Sequence, residues 1–475
     1  MTTRLRPASI PAPRRTVAER AEQGKAARVR APRDSHAMAD MPDGRADPVA
    51  LLERQGATRV PDLVPVRYGR MLVSPFTFFR GAALPMASDL ARTPVSGLMV
   101  QACGDAHLSN FGIFGSPERR LMFDINDFDE TLPGPWEWDV KRLAASLEVA
   151  GRENGLTRKQ RRAVVLATAG RYREAMREFA AFSNMRVFYA RVDVEQVRAE
   201  LASRLTARQR KVWDAGQAKA RTADSMRDLK KLTRMVDGQR RIVSDPPLIM
   251  PLEDMLTDTD PEQVQAQIRG LVTGYRRTLE PDRRLLLDQY ELTDIAHKVV
   301  GVGSVGTRCW IVLMLGRDHR DPLFLQVKQA QRSVLAPFAG ASKIANEGQR
   351  VVTGQRIMQA AGDAFLGWNG TKSGMDGESR NFYVRQLRDW KYSIDVAELA
   401  PAGLRQYGEL CGWTLARAHA RSGDRVAIAA YLGSSDVFDR AVTEFASSYA
   451  DQNERDHQAL ADAAASGRIT AVRDV

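Results

Sequence analysis

Cysteine is scarce in this sequence, and the few that occur are widely spaced. Cys103, Cys309 and Cys411 are the only three cysteines among 475 residues. No two of them stand in a C-x-x-C arrangement, so neither a zinc site nor a disulfide framework is expected. Such sparse cysteine usage is typical of a protein that works in a reducing compartment, and we therefore expect a cytoplasmic location.

Long apolar runs are missing as well. No stretch reaches the roughly 20 apolar residues that a helix needs to cross a bilayer. The arginines near the N-terminus are not followed by the apolar segment of a secretory signal. We therefore expect no membrane insertion. With 44% hydrophobic and 27% charged residues, the composition is that of a globular protein long enough to form a two-lobed enzyme.

Acidic residues are outnumbered by basic ones, 58 against 70, which gives a formal net charge of +12. This balance allows nucleic acid, acidic lipid headgroups or anionic small molecules as partners without choosing among them. Residues 1–48 are rich in Arg, Ala and Pro and poor in large apolar residues, which predicts a disordered basic arm. A solvated tail is the simpler interpretation of this arm, and a nucleic-acid contact is the alternative. The basic segment 205–241 contains no recognised nucleic-acid module either.

The hydrophobic period changes along the remaining chain and predicts an α+β fold. Residues 49–98 mix short helical patterns with Pro and Gly breaks and form a helical lead-in. Residues 99–290 begin with a hairpin pattern and continue as a helical lobe. Residues 291–395 carry β-branched runs around a glycine-rich turn and form a β lobe. Residues 396–475 are again helical, and we expect them to complete the helical lobe.

The first cluster of candidate site residues lies in GDAHLSN and FDINDFDE. Asp105 and Asn110 are five residues apart, the spacing that kinase catalytic loops use. There the Asp accepts the proton of the attacking hydroxyl, and the Asn reaches a metal ion on the phosphates. The hairpin that follows supplies a second carboxylate, and oxygen ligands suit Mg²⁺. Asp127 is favoured by the Asp-Phe sequence and Asp124 by the hairpin length; alternatively, these acids only cap turns and the next helix.

The second cluster begins with Gly301-Val302-Gly303-Ser304-Val305-Gly306, which matches G-x-G-x-x-G. A dinucleotide-binding interpretation requires a helix directly after this sequence. Here β-branched and aromatic residues follow instead, so the turn is predicted to join two strands. In kinases such a turn lets backbone amides lie over the ATP phosphates. We therefore assign Gly301, Gly303, Ser304 and Gly306 to nucleotide binding.

A lysine and a glutamate follow this turn in the order that kinases use. Lys328 closes an apolar strand and is predicted to hold the α- and β-phosphates, while Glu347 on the next helix is predicted to hold the lysine. A lysine that extends from a strand end to solvent and an exposed helical acid are the alternatives. The strand over residues 382–387 falls where a hinge would receive adenine.

The first cluster resembles a known pattern. Cys-Gly-Asp-Ala-His-Leu-Ser-Asn resembles the His-Gly-Asp-x-His-x-x-Asn loop of aminoglycoside phosphotransferases and choline-kinase-like enzymes. Asn-Asp-Phe-Asp resembles their Asp-Phe-Gly equivalent, and Trp-Asp-Val-Lys-Arg-Leu-Ala resembles a later helix of that fold. One position departs from the pattern, because Cys103 stands where that family has its first His.

The resemblance implies a role for each matching residue. Asp105 would be the catalytic base, and Asn110 and Asp127 would be magnesium ligands. Asp139 would be a structural acid beneath the loop, and His107 would have a supporting role.

From about residue 50 the chain also resembles a family of uncharacterised bacterial proteins, domain of unknown function 2252. The sequences that carry this resemblance are SPFTFFRGAA, GDAHLSNFG, FDINDFDETLPGPWEWDVKRLAAS and VGVGSVGTR. Membership implies a kinase-like fold with no settled substrate. Arg80, in the first of these sequences, could meet a phosphate, and an ion pair within the protein is the alternative.

Ordinary kinases place the glycine-rich lobe before the catalytic loop, whereas this chain has the reverse order. We therefore predict a two-lobed, protein-kinase-like fold in circularly permuted order, which is tolerated when chain ends lie close together. His419 and Asp424 are expected to be structural, because no Asn follows them at the required spacing. The predicted function is ATP- and Mg²⁺-dependent phosphoryl transfer to a hydroxyl of an acceptor that the sequence does not identify. A nucleotide-binding pseudoenzyme, a partner-binding module and an AMP transferase are the alternatives.

Overall fold

The computed structural model describes residues 15–37, 44–201, 214–215, 218, 221–222, 225–255, 261–299, 301–371, 377–387, 390 and 392–473. The described helices are α1 (Val17–Arg30), α2 (Pro48–Gly56), α3 (Val64–Met71), α4 (Pro75–Gly81), α5 (Ala83–Leu90), α6 (Trp136–Glu153), α7 (Arg158–Ala181), α8 (Asn184–Tyr189), α9 (Val194–Leu201), α10 (Ser225–Leu232), α11 (Leu252–Met255), α12 (Pro261–Arg276), α13 (Pro281–Leu287), α14 (Ala336–Ala339), α15 (Glu347–Met358), α16 (Pro401–Ser422), α17 (Arg425–Leu432) and α18 (Val437–Ala465). Among the helices described, none combines the length and the apolar character that crossing a membrane requires.

The described strands are β1 (Met99–Ala102), β2 (Phe111–Gly115), β3 (Leu121–Ile125), β4 (Leu132–Pro135), β5 (Val192–Asp193), β6 (Thr233–Val236), β7 (Gln239–Ile242), β8 (Ile249–Pro251), β9 (Glu291–Lys298), β10 (Cys309–Leu315), β11 (Pro322–Ala330), β12 (Gly367–Thr371) and β13 (Arg380–Gln386). They form several antiparallel sheets beside a helical layer. The prediction of an α+β fold is therefore confirmed.

The helical layer is built around α6, α7, α16 and α18. Trp136, at the start of α6, is fully buried and stacks on Tyr172 of α7 with 5.7 Å between the ring centroids. Helices α7 and α16 approach closely because α16 presents glycines to its neighbour. A Cβ atom added to Gly408 would lie 2.3 Å from Thr168 Oγ1, and one on Gly412 would lie 2.6 Å from the Thr168 carbonyl oxygen. Larger side chains at these two positions would force the helices apart.

The β layer is a six-stranded antiparallel sheet in the order β12-β13-β11-β10-β9-β8. Strands β9, β10 and β11 follow one another as neighbours, and Cys309 lies opposite Lys328 in the register of the last two. The glycine-rich segment 301–306 joins β9 to β10, as the alternation of apolar residues and glycines predicts. Helix α15 then packs on the sheet before the chain returns in β12 and β13.

A separate hairpin presents the acidic residues of the first cluster. Strands β2 and β3 pair antiparallel with Phe111 opposite Ile125. Strands β1 and β4 pair beside them with Met99 opposite Pro135. The two pairings bring the loop that follows β1 and the turn that follows β3 to the same edge of the helical layer.

The prediction that residues 1–48 form a disordered arm is wrong for the part that the structure describes. Thr16 and Glu19 form a capping box that starts α1, and the helix packs on α17. A Cβ atom on Gly24 would lie only 2.0 Å from the Ala427 carbonyl oxygen, so the contact requires glycine. Arg28 donates to carbonyl oxygens at the end of α17. This helix is held by close backbone approach and arginine hydrogen bonds rather than by large apolar side chains, which is why composition did not reveal it.

Candidate functional site

A cleft of about 590 Å³ separates the acidic hairpin from the inner face of the six-stranded sheet. Residues from both sequence clusters line it: Asp105, His107, Asn110, Asp127, Asp129, Glu130, Gly301, Val302, Gly303, Ser304, Gln326 and Lys328. The fold therefore brings two groups of residues that are about 200 positions apart in the chain to one cavity. The lead-in helices contribute Arg80 to the same wall.

The loop that carries Asp105 is anchored from below by Asp139 of α6. One carboxylate oxygen of Asp139 accepts from the Gly104 amide at 2.9 Å, and the other accepts from the Cys103 amide at 2.6 Å. The second oxygen also lies 3.0 Å from His419 Nε2, and the other ring nitrogen of His419 lies 2.9 Å from the Tyr172 hydroxyl. Every member of this network is buried. Asp139 thus lies where the resemblance implies, and His419 from the distant helix α16 supports it.

Asp105 is oriented by three neighbouring groups. Arg142 Nε donates to its Oδ1 at 2.5 Å, and His107 Nε2 lies 3.7 Å from Oδ2. Asn110 Nδ2 donates to the Asp105 carbonyl oxygen at 2.7 Å, which fixes the loop between them. Burial raises the pKa of Asp105 to about 6, against the lowering effect of Arg142. The carboxyl group is therefore ionised at neutral pH while its basicity lies nearer to that of an efficient general base.

Arg142 is a site residue that the sequence did not reveal. It follows Asp139 by three positions on α6, so both side chains lie on the face of the helix that supports the loop. The three-residue spacing from Asp139 on a predicted helix was the signal that could have identified Arg142.

The two aspartates that the sequence left open lie in different environments. Asp127 lines the cleft, and its Oδ1 accepts from the Asp129 amide at 3.1 Å. Asp124 is 1% exposed. Its Oδ1 binds the Arg417 guanidinium, and its Oδ2 accepts from the Ala360 amide at 2.8 Å. Asp124 therefore ties α16 to the hairpin, and Asp127 is the candidate metal ligand of the pair.

Lys328 forms a buried ion pair with Asp129. Its Nζ lies 2.7 Å from Asp129 Oδ2. The Tyr383 hydroxyl donates to Asp129 Oδ1 at 2.6 Å, and Ser304 Oγ lies 3.4 Å from Oδ2. Burial alone would raise the pKa of Asp129, but the charge and hydrogen bond of Lys328, the hydrogen bond of Tyr383 and the charge of Arg385 together lower that pKa below its usual value. Asp129 thus joins the turn that follows β3, here called the acidic turn, to the β layer. Sequence reasoning missed this role.

The predicted pairing of Glu347 with Lys328 is wrong. Glu347 is the first residue of α15, and its carboxylate pairs with Arg350 one turn further along the helix. Arg350 also donates to the carbonyl oxygens of Thr131, at 2.6 Å, and Asp129, at 2.9 Å. Helix α15 therefore contacts the acidic turn through Arg350, and Lys328 pairs with Asp129 instead of Glu347.

The glycine-rich turn contributes three of its four predicted residues to the cleft. Gly301, Gly303 and Ser304 line the cavity. Gly306 is not among the lining residues. Its φ of +84° favours glycine, and its carbonyl oxygen accepts from the Val60 amide at 2.7 Å. Gly306 therefore serves the geometry of the turn.

Arg59 holds the same turn from the lead-in segment. Its guanidinium donates to the Gly303 carbonyl oxygen at 2.9 Å and also to that of Val305. Arg59 is 7% exposed, and burial lowers its pKa to about 10. The outer, carbonyl-bearing side of the turn is thereby fixed to a part of the chain that precedes it by about 240 residues.

The donor set of the cleft fits a magnesium–phosphate ligand. Within the described ranges there is no group of three or more His, Cys, Asp or Glu side chains arranged to hold a metal ion. Magnesium in phosphate sites commonly takes one or two protein oxygen ligands and completes its shell with phosphate and water. Asp127 and Asn110 supply ligands of that kind. The cationic side chains on the walls are Arg80, Arg227, Lys298, Lys328 and Arg385.

Comparison with known proteins identifies one family. The family model described as "Uncharacterized protein conserved in bacteria (DUF2252)" matches residues 59–463. No curated protein and no solved structure matches the chain. The family description names no activity.

Proposed function

The chain belongs to the DUF2252 family of bacterial proteins, and we propose that it is an ATP- and Mg²⁺-dependent phosphotransferase that acts on a hydroxyl group. One observation carries the proposal. Asp105, Asn110 and Asp127 open onto the same cleft as Lys328 and the glycine-rich turn. Phosphoryl transfer requires a base, a metal site and a phosphate cradle around one reacting group.

The order of elements in the β layer supports a permuted, two-lobed, protein-kinase-like fold. A glycine-rich turn between two strands, a lysine on the third strand, a helix on the sheet and a returning strand follow in the succession that kinases use. Helix α16 then packs on α7 beside the acidic hairpin. The helical lobe of this proposal therefore combines segments from both ends of the sequence.

The candidate site residues have distinct roles in the proposed reaction. Lys328 and the backbone of the turn bind the polyphosphate of the donor, and Asn110 and Asp127 would hold the metal ion, which supplies charge neutralisation on the phosphates. Asp105 accepts the proton of the acceptor hydroxyl. Arg142 fixes the orientation of that carboxylate, and such positioning carries much of the rate in phosphoryl transfer.

A nucleotide-binding protein without transfer activity is the second candidate. It is favoured by the ion pairs that Lys328 makes with Asp129 and that Arg142 makes with Asp105. In an active enzyme the polyphosphate must share Lys328 with Asp129. In the second candidate these pairs persist after nucleotide binding, and Asp105 transfers no proton.

Calorimetric titration of the protein with ATP and Mg²⁺ tests the proposal. We expect micromolar, metal-dependent binding that is lost in Lys328→Ala and in Asp127→Asn. Lys343→Ala, which removes an exposed lysine, is the matched control and is expected to bind as the wild type does. No binding by a well-folded wild type would refute the ATP-dependent enzyme.

Product analysis separates the remaining alternatives once binding is established. Release of ADP with a phosphorylated acceptor indicates phosphoryl transfer, whereas release of pyrophosphate indicates AMP transfer. Binding with neither product, across hydroxyl acceptors that differ in charge, would favour the protein without transfer activity.

A further inference from the structure

Among the residues that the structure describes, Arg80 differs from the paired cations of the cleft, because its side chain has no protein partner. Its guanidinium makes no hydrogen bond or ion pair with any other residue in the described part of the chain, and its Nε atom is buried without an acceptor. Lys328, by contrast, pairs with Asp129, and Arg385 donates to Gln326 and to the Asn126 carbonyl oxygen. A buried donor without an acceptor is unfavourable and needs an explanation, and for a cation that lines the cleft a ligand in that cleft is one such explanation.

The backbone on both sides of Arg80 is held by buried arginines. Arg142 Nη2 donates to the Phe79 carbonyl oxygen at 3.0 Å, and Arg67 Nη2 donates to that of Gly81 at 2.9 Å. Arg142 is also the residue whose Nε binds Asp105. One guanidinium therefore sets the position of Asp105 and of the chain immediately before Arg80.

The neighbours of Arg80 place its charge beside the proposed base. Arg80 and Asp105 line the same cleft, and the charge of Asp105 opposes the lowering that burial imposes on the pKa of Arg80. The carboxylate of Asp105 has other neighbours, since its Oδ1 accepts from Arg142 and its Oδ2 lies 3.7 Å from His107 Nε2. On the other side, a Cβ atom on Gly303 would lie 3.5 Å from the Arg80 carbonyl oxygen, so the glycine-rich turn borders the same residue.

We propose that Arg80 is an oxyanion-binding subsite beside Asp105, and that its ligand is a phosphate-type group in the proposed reaction. Two sources share this chemistry: the terminal phosphoryl group of the nucleotide and an acid group on the acceptor. The planar guanidinium donates two parallel hydrogen bonds to such an oxyanion, which a lysine cannot reproduce. This inference rests on the proposed function for the identity of the two sources, but the anion site itself does not require a nucleotide.

Calorimetry with three probes tests the subsite. The probes are a non-hydrolysable ATP analogue with Mg²⁺, ADP with Mg²⁺, and inorganic phosphate titrated into both the free and the ADP-loaded protein. The variant is Arg80→Gln, and Arg317→Gln, which removes an arginine with an 83% exposed side chain, is the control of equal charge change. Arg80→Lys keeps the charge and removes the planar guanidinium that donates two parallel hydrogen bonds.

We expect Arg80→Gln to weaken the binding of one probe by about tenfold to a hundredfold, which is the effect of losing hydrogen bonds to a charged group. Weaker binding of the ATP analogue with unchanged ADP binding assigns Arg80 to the nucleotide's terminal phosphoryl group. Weaker binding of phosphate to the ADP-loaded protein, with both nucleotides unchanged, assigns it to the acceptor.

Unchanged affinity for all probes in a folded Arg80→Gln protein would overturn the subsite. If that variant does not fold, Arg80→Lys decides the question. Loss of the guanidinium should weaken the binding of the same probe by about fivefold or more. Unchanged binding by Arg80→Lys would then overturn the subsite. A wild type that binds phosphate through Arg80 but binds no nucleotide would refute the proposed function and leave the subsite standing. A wild type that binds neither would overturn both.

Discussion

The two sides of the cleft are held in place in different ways. The loop with Asp105 is anchored from inside the helical layer, where Asp139 collects two backbone amides and the ring of His419. The glycine-rich turn is anchored from outside the sheet, where Arg59 and the amide of Val60 bind its carbonyl oxygens. A buried carboxylate is costly to disturb, whereas backbone carbonyls can return to water. The loop with Asp105 is therefore fixed as part of the core, whereas the glycine-rich turn is fixed by contacts to its backbone that water could replace.

Removing Asp139 should have the largest effect. In Asp139→Ala the amides of Cys103 and Gly104 and the ring of His419 lose a buried acceptor, and we expect the free energy of unfolding to fall by about 3–5 kcal/mol. Urea denaturation measures it. Asp462→Ala, on the exposed face of α18, is the control and should change stability by less than about 0.5 kcal/mol. A loss below about 1 kcal/mol for Asp139→Ala would show that the loop does not depend on its internal anchor.

The ion pair that joins the two sides should have the next largest effect. Asp129→Ala leaves Lys328 buried without its partner and should lower the free energy of unfolding by about 3 kcal/mol. The double variant Asp129→Leu with Lys328→Met removes both charges and should lose less than the single variant. Equal or larger losses in the double variant would mean that packing, not charge, makes Asp129 important.

Glu130 should make the acidic turn sensitive to pH. Burial raises its pKa from 4.5 to about 7, so the folded protein binds its proton at pH values where the unfolded chain has released it. Stability from this group therefore falls as pH rises from about 4.5 to about 7. In Glu130→Gln that dependence disappears, and at pH 8 the variant should be more stable than the wild type by about 2 kcal/mol. Thermal or urea unfolding of the wild type and of Glu130→Gln at pH 4 and at pH 8 measures the difference in stability. The prediction is contradicted if the two proteins have the same unfolding curve at each pH.

Loss of the contact between Arg59 and the glycine-rich turn should have the smallest effect on overall stability, and that effect should be the most local. Arg59→Gln should lower the free energy of unfolding by about 1 kcal/mol and accelerate amide hydrogen exchange in residues 301–306. Exchange in residues 103–110 should stay as in the wild type. Arg92→Gln, which removes an exposed contact to the Gly44 carbonyl oxygen, is the control. Equal acceleration on both sides of the cleft would show that the two anchors are one cooperative unit.

Local sequence patterns predicted much of this arrangement. The apolar alternation and glycines around residues 291–330 predicted three neighbouring strands, because a strand and its turn are encoded by adjacent residues. The order of Asp105, Asn110, Lys328 and the glycine-rich turn predicted a shared site, and these residues do line one cleft. Motif order was informative because each motif carries its own local geometry.

Contacts between distant segments could not be predicted in this way. Lys328 meets Asp129, which is 199 residues away, instead of Glu347, because Arg350 takes the glutamate within its own helix. Arg59 has no distinctive spacing, since its contacts arise only where the lead-in segment meets the glycine-rich turn. The docking of α1 depends on the absence of a side chain at Gly24, and composition alone assigned that segment to a solvated tail.

The anchor beneath Asp105 also sets when the site can form during synthesis. His419 follows Asp139 by 280 residues, and Arg59 precedes Val305 by 246. Ribosomes add about 5–20 residues per second, so the loop that carries Asp105 waits on the order of 15 s or more for His419 after Asp139 is synthesised. Contacts of such long range slow folding and leave incomplete chains with exposed apolar surface. A nascent chain that ends before α16 therefore contains Asp139 without His419 beside it, and chaperone dependence should concentrate in that interval.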